Sequence, residues 1–393
     1  MTTTGREPLL SRNGQAVLAA VRARPRCSRA DVARATGLST SAVSMLVSTL
    51  ISAGLLVELG VNHSAGGGRP SVSLGVAPEA GSLIGIHIGH AGLRVVLTAL
   101  DGTLLAEQLH ALDVDHEPAA SLDRMASSTA ALLADGIVDP TRILGAGVAV
   151  SAPVIDARSL GSPPMLLDWG GVDIGGILTE RLGLPVHLGN DATLGALAEW
   201  RLGAGAGVDD LVYVMLGDGV GSGLVLGGRL HTGSSGTAGE LGHLPVVSDG
   251  KICRCGARGC LETLVSKRAL VAALAHTLGA SASVEALLDL AEAGDRGATR
   301  LLGDAGRVLG TALAGVCTVT DPRLVVVGGD LTARPDTSDV LLEAARHALE
   351  AALPPVANHG VRIVRAALGA RAEALGAALL AGTRTGAGLA PIR

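Results

Sequence analysis

The 393-residue chain contains no phenylalanine, one tyrosine and two tryptophans, so aromatic residues make up 1% of it. Its interior must therefore be aliphatic, built from Leu, Val, Ile and Ala. No apolar run approaches the ~18 residues of a transmembrane helix. The start, MTTTGREPLL, lacks a signal peptide's long apolar stretch. These absences lead to the expectation of a soluble cytoplasmic protein with no membrane partner. Cysteine is scarce and unevenly placed. Cys253, Cys255 and Cys260 fall within eight residues, while Cys27 and Cys317 stand apart. In a cytoplasmic chain such a cluster favours a metal over a disulfide framework. Cys317, inside TALAGVCTV, reads as a small core residue.

The length suits two or three domains. Charge is distributed asymmetrically. Eight arginines against four acids leave +4 on the first 80 residues, so the remainder of a chain of net charge −5 carries −9. A basic head on an acidic body fits nucleic-acid binding by the head.

Within that head, residues 12 to 23 have helical spacing, Ser28 and Asp31 mark the start of a second helix, and Gly37 ends it. Ser39 opens a third helix with the stripe Val43, Leu46, Val47, Leu50 and Ile51. Gly54 closes it, and β-type runs follow at Leu55–Leu59 and Ser71–Gly75, joined by the Gly-rich tip NHSAGGGRP. Ala33 supplies the small residue and Gly37 the chain reversal that a helix-turn-helix needs. Val32, Leu38, Val43 and Leu46 supply its locking apolar contacts. The expected DNA-facing residues are Ser39, Thr40, Ser41, Ser44 and Met45, with Arg69 at the wing tip entering a minor groove. Arg12, Arg29 and Arg34 are candidate phosphate contacts, although the third helix carries no Arg or Lys. The alternative for this head is a helical interaction module that never meets DNA.

After a linker near Val76–Gly81, residues 82 to 108 alternate apolar positions and turn at Asp101-Gly102. Further strands are expected at Ile143–Val150, Val186–Leu188, Leu211–Leu216, Gly223–Val225, Leu324–Val327 and Val361–Val364. Helices are expected near 118–134, 173–182, 193–203, 263–278, 284–316, 338–352 and 371–382. Interleaving of this kind indicates an α/β fold.

The most specific segment is GTAGELGHLPVVSDGKICRCGARGCLE, residues 236 to 262. His243, Cys253, Cys255 and Cys260 offer one imidazole and three sulfurs, and Gly256 and Gly259 let the backbone fold around an ion. Four soft ligands of this kind imply closed, tetrahedral, structural Zn2+.

Glu240, Gly242 and His243, followed by Cys253-x-Cys255-Gly-x-x-Gly-Cys260-Leu-Glu262, resemble the signature of the ROK family (repressors, open reading frames and sugar kinases). Together with the head, the resemblance covers nearly the whole chain and matches the repressor branch. It implies a winged helix-turn-helix over residues 1–76, then a two-lobed α/β actin-like, sugar-kinase (ribonuclease H-like) fold with a structural zinc loop. The implied N-lobe spans 82–190, completed by a C-terminal helix at about 371–393, and the C-lobe spans 191–370. The resemblance also implies sugar-binding roles for Asn190, Asp191, Glu240, His243 and Glu262, and a homodimer or homotetramer. A pyranose offers hydroxyls that such carboxylates and amides can engage. His243 serves in both sets, one ring nitrogen toward metal and the other toward sugar. For Asn190 and Asp191 alone, a helix cap is the plainer reading.

In the family's kinases the position of Asp191 is the general base. Their Asp-x-Gly-Gly-Thr phosphate loop corresponds to His87-Ile88-Gly89-His90-Ala91-Gly92 here, which lacks the acid, the second Gly and the Thr. The second loop, Gly217-Asp218-Gly219-Val220-Gly221, has Asp218 where kinases favour Thr, and an acid there should repel nucleotide unless metal intervenes. Gly328-Gly329 still resembles the nucleotide-side pair. ATP and Mg2+ are therefore not expected, and no catalytic residue is. The expected function is a repressor of carbohydrate genes that binds double-stranded operator DNA and responds to a sugar or sugar phosphate. The alternatives are a sugar kinase with a DNA-binding head, and a core that only oligomerises and senses a protein partner.

Overall fold

The computed structural model describes residues 12–24, 26–62, 71–77, 80–90, 92–154, 160, 168–357 and 360–384. The head comprises α1 (Arg12–Ala23), β1 (Cys27–Ser28), α2 (Arg29–Thr36), α3 (Thr40–Ser52), β2 (Leu56–Asn62) and β3 (Ser71–Val76). The Ser28 hydroxyl accepts from the Asp31 amide, and the Asp31 carboxylate accepts from the Ser28 amide at 2.8 Å, a reciprocal cap. These bonds hold the Asp31 carboxyl below its ordinary range. Gly37 then ends α2 at φ 69, a left-handed conformation glycine adopts freely. Val17, Leu18, Val21, Val32, Val43, Val47, Leu50 and Leu74 form the core. The short β1, absent from the sequence reading, pairs with β3 and seats Cys27 in that core.

Two five-stranded sheets follow. The first uses β4 (Ser82–Gly89), β5 (Gly92–Ala99), β6 (Leu104–Ala111), β7 (Ile143–Val150) and β8 (Val186–Asn190) in the order β6-β5-β4-β7-β8. The second uses β9 (Leu211–Leu216), β10 (Val220–Leu226), β11 (Arg229–His231), β12 (Leu324–Gly328) and β13 (Arg362–Arg365) in the order β11-β10-β9-β12-β13. In each, three antiparallel strands are extended by two parallel ones. The lobes thus repeat one topology, which no local sequence pattern announced.

The helices are α4 (Pro118–Ala134), α5 (Ile174–Leu182), α6 (Asp191–Leu202), α7 (Glu262–Val265), α8 (Lys267–Leu278), α9 (Val284–Glu292), α10 (Arg296–Thr320), α11 (Pro335–Ala352) and α12 (Ala372–Arg384). Small residues replace the missing aromatics at the tightest contacts. A Cβ on Gly85 or Gly147 would lie 2.0 or 1.9 Å from α12 carbonyls, so α12 lies directly on the first sheet. Gly376 does the same for α6, 1.9 Å from the Leu194 carbonyl. This stack fixes where α6 begins, and hence where Asp191 points.

Three expectations change. Residues 82–111 form three strands, because the chain turns at His90 as well as at Asp101-Gly102. The stretch 284–316 is two helices: Gly294, at φ 77, breaks it and the Asp295 side chain recaps α10 through the Ala298 amide. The stretch 263–278 is likewise divided at Ser266, which caps α8. The wing tip with Arg69 lies outside the described residues, as do 385–393 of the anticipated C-terminal helix.

Candidate functional site

The first sheet, the second sheet and α12 surround a cleft of about 720 Å³. Asn190, Asp191, Glu240 and His243 all line it. Asp191 opens α6 and is 3% exposed. Its carboxylate accepts from the Ser151 hydroxyl at 2.5 Å and from the Ala192 amide at 2.7 Å. Burial pushes its carboxyl above the ordinary range, opposed by nearby His87 and by the Ser151 bond. Asn190 is the helix cap: its Oδ1 accepts from the Thr193 amide at 3.0 Å, and its Nδ2 donates to the Ala152 carbonyl at 3.4 Å. Much of its bonding capacity is therefore structural.

Glu240 and His243 come from the loop after β11. Desolvation raises the Glu240 carboxyl, opposed by His243. The His243 ring is shared: Nδ1 lies 3.5 Å from Cys253 Sγ and Nε2 lies 3.7 Å from Glu240 Oε2. Glu262 lies beside the cleft rather than among its lining side chains, close enough for its charge to act on Glu240. It is 7% exposed, and its carboxylate accepts from the Val220 amide at 3.1 Å and from the Cys253 thiol at 3.8 Å. It braces the wall from behind.

The donor atoms of His243, Cys253, Cys255 and Cys260 all lie within 4.8 Å of one another, a set able to hold a metal ion. The loop reaches this shape through glycine. Gly259 has φ 67, and a Cβ there would overlap the Val247 carbonyl oxygen at 1.6 Å. Burial, then the neighbouring sulfurs, push the Cys260 thiol up to about 12.

The two turns set against the family's phosphate loops each carry a titratable side chain. The His87 imidazole lies over Gly89, its Cε1 3.4 Å from where a Cβ would stand. Burial lowers its pKa and favours the neutral ring. Across the cleft, Lys267 Nζ bridges Asp218 at 3.2 Å and Asp330 at 2.6 Å. Burial alone would lower the Lys267 ammonium, but these carboxylates outweigh it and raise it. Asp218, the acid expected to repel nucleotide, is thus paired with a cation.

Sequence reading missed Ser151, Lys267, Asp330, Tyr213 and Glu373, all at or beside this cleft. The rarity of their residue types was the available signal for two of them: Lys267 is one of two lysines, and Tyr213 is the single tyrosine.

On the head, Ser39, Thr40, Ser41, Ser44 and Met45 are exposed, Met45 at 65%. Ser39 is partly committed, since its hydroxyl accepts from the Ala42 amide at 3.2 Å. Arg29 pairs with Glu58 at 2.9 Å, and Arg34 pairs with Asp31.

A model of the ROK family matches residues 83–384. The chain belongs to the ROK family. Ahead of that region, an IclR helix-turn-helix domain model matches residues 12–60. The chain is 29% identical over 349 residues to a xylose repressor of Bacillus spizizenii, covering 89% of each. The crystal structure of a ROK family transcriptional regulator, a homolog of the E. coli MLC protein, superimposes with a TM-score of 0.75. It covers 97% of this chain and 98% of that one at 24% identity, which establishes the fold. A ROK family glucokinase from Streptomyces griseus, in complex with glucose and AMPPNP, gives a TM-score of 0.67 at 29% identity. That match covers 76% of this chain and 98% of the kinase. No single described helix is long and apolar enough to cross a membrane.

Proposed function

We propose that this ROK-family chain is a sugar-responsive transcriptional repressor whose head grips operator DNA and whose core binds a sugar without phosphorylating it. The observation that carries this reading is one chain combining an exposed recognition-helix face with a cleft in which Asp191, Glu240 and His243 converge. The hydroxyls of Thr40, Ser41 and Ser44 and the α3 N-terminus suit DNA phosphates, and Met45 suits a thymine methyl. Two heads in a dimer or tetramer would read a palindromic operator.

The metal is structural zinc. Donors ~2.3 Å from a tetrahedral ion stand about 3.8 Å apart, and Cys255 Sγ and Cys260 Sγ are separated by 3.7 Å. The ion would hold His243 and so aim its second nitrogen, beside Glu240, at the sugar. Cys260→Ser should abolish the sugar response while leaving operator binding. Equal sugar affinity in wild type and variant would count against a zinc-shaped site.

The response travels through two contacts. Helix α6 runs from Asp191 in the cleft to Arg201 at the head junction. There Arg22 of α1 donates to the Leu100 carbonyl, and burial, opposed by Asp101 and reinforced by Arg201, lowers Arg22 to about 9. Beside it, Ala77, Ala80, Leu83, Leu100, Ala378 and Ala381 pack with Leu55 and Val57 of the wing. A sugar that shifts α6 or α12 therefore shifts the seat of the head. To change occupancy, it must prefer one DNA-binding state.

Anisotropy titration of operator fragments, with and without a panel of sugars beginning with xylose and glucose, tests the reading. Specific DNA binding that some sugar strengthens or weakens is the expected result. The absence of any specific operator would defeat it. A second reading, residual sugar kinase activity, is favoured by the buried Asp191 beside Ser151, an arrangement suited to a general base. ATP-dependent phosphorylation lost in Asp191→Asn would establish that reading instead.

A further inference from the structure

We infer that the effector is a neutral sugar, and that Glu373 is the residue that closes the deep end of the cleft to phosphorylated ones. This rests on the sugar-sensing reading above and narrows it. Glu373 is the second residue of α12 and only 4% exposed, yet it lines the cleft beside Gly329, Asp330, Gly369 and Ala370. Its carboxylate accepts from the buried Tyr213 hydroxyl at 3.0 Å. That hydroxyl fits only because its neighbours lack side chains: a Cβ on Gly195 or Gly328 would stand 3.2 or 2.7 Å from it. The carboxyl is therefore fixed in place across the boundary between α12 and the second sheet.

The side chains that line the cleft carry more acid than base. Among the described lining residues, the two with permanent positive charge, Arg94 and Lys267, already have carboxylate partners. Arg94 shares Glu107, at 2.7 Å, with Arg371, Lys267 holds Asp218 and Asp330, and the His90 ring lies 2.7 Å from Asp115. His110 is tied to the Ser128 hydroxyl at 2.8 Å, the His243 Nδ1 faces Cys253, and burial disfavours a charge on His87. Against these stand the carboxyls of Asp191, Asp218, Glu240, Asp330 and Glu373. Even the glycine turn is partly spent, since the Gly217 amide donates to the Gly219 carbonyl at 3.0 Å. A phosphate dianion entering here would lose its water and face five carboxyls, while the lining Arg94 and Lys267 are already engaged, which is unfavourable. A hydroxyl both donates and accepts, so it meets a carboxyl in either protonation state.

Burial raises the Glu373 carboxyl to about 7, with Asp330 and Glu199 reinforcing the shift and its own backbone amide and Tyr213 opposing it. Asp191 faces the same group from α6. Near neutrality Glu373 thus donates in part of the population and accepts in the rest, and only its protonated form would tolerate a phosphate.

The test is calorimetric titration of the full chain with glucose, xylose and N-acetylglucosamine, each beside its terminal monophosphate. The sugar that binds should do so at least ~10-fold more tightly than its phosphate. Glu373→Gln should narrow that ratio several-fold, and Tyr213→Phe should narrow it partway, which keeps a reading available should the first variant fold poorly. A phosphate binding as tightly as its parent sugar, or an unchanged ratio in both folded variants, overturns the inference and leaves sugar sensing intact. Failure of every compound in both forms overturns the sugar-sensing reading itself, and this inference with it.

Discussion

The β4–β5 and β9–β10 hairpins occupy corresponding places in two sheets of the same strand order, and both line one cleft. Their chemistry has diverged in opposite directions. In the first, a neutral imidazole from His87 covers the Gly89 turn. In the second, Asp218 adds a charge that Lys267 neutralises through a bridge shared with Asp330. The topology survives both changes because the backbone turns need only glycine, whereas a phosphate site needs open donors and a metal-binding acid. One fold can thus carry unrelated side-chain chemistry at its two corresponding turns.

The comparison is broken most severely at Asp191, which belongs to the wall between the hairpins. Asp191→Asn should weaken sugar binding roughly 100-fold, about 2.7 kcal/mol, with little loss of operator affinity. A calorimetric Kd within a factor of a few of wild type would remove Asp191 from the site.

The floor of the cleft gives the next effect. Because the folded-state value of Glu373, about 7, lies above its ordinary 4.5, its contribution to stability is fully present below 4.5 and is lost as pH rises through 7. Between about pH 5 and about pH 8, wild type should lose roughly 2 kcal/mol relative to Glu373→Gln. Parallel stability curves for the two proteins would contradict this burial argument.

The hairpins themselves are distinguished by paired variants. Lys267→Met leaves two carboxylates facing each other and should cost about 1–2 kcal/mol, discounted because Asp330 is half open to solvent. His90→Ala, at the turn of the other hairpin, frees Asp115 and should cost less than about 1 kcal/mol. Equal denaturant midpoints would erase the asymmetry. Smallest is a change remote from both: Ser28→Ala removes the α2 cap and should destabilise the head by about 0.5–1 kcal/mol without altering sugar affinity.

Much of the backbone was legible in advance. The helix at Pro118–Ala134 and the strands at Ile143–Val150 and Leu211–Leu216 occupy the segments expected from periodicity. Glycine was where the pattern misled. Gly294 breaks the helical run at 284–316, yet Gly306 and Gly310 stay within α10 because Cβ atoms there would strike α11 carbonyls at 2.2 and 2.1 Å. One residue type ends a helix or brings two together, and only the neighbour decides which. At the site, the cluster of His243 and three cysteines was readable because its members are close in the chain. The bonding of Glu262 within the same segment was not readable, since it depends on the Val220 amide from a distant turn.

The order of letters alone determined a basic helical head, an aliphatic α/β body and a thiol–imidazole cluster, for these depend on periodicity and short spacing. Only the tertiary structure decided which carboxyls meet in the cleft and what restrains them. Lys267 reaches Asp330 across 63 positions and Tyr213 reaches Glu373 across 160. Such pairings arise when folded segments stack, and a chain's local pattern carries no record of which distant partner will share its low-dielectric surroundings.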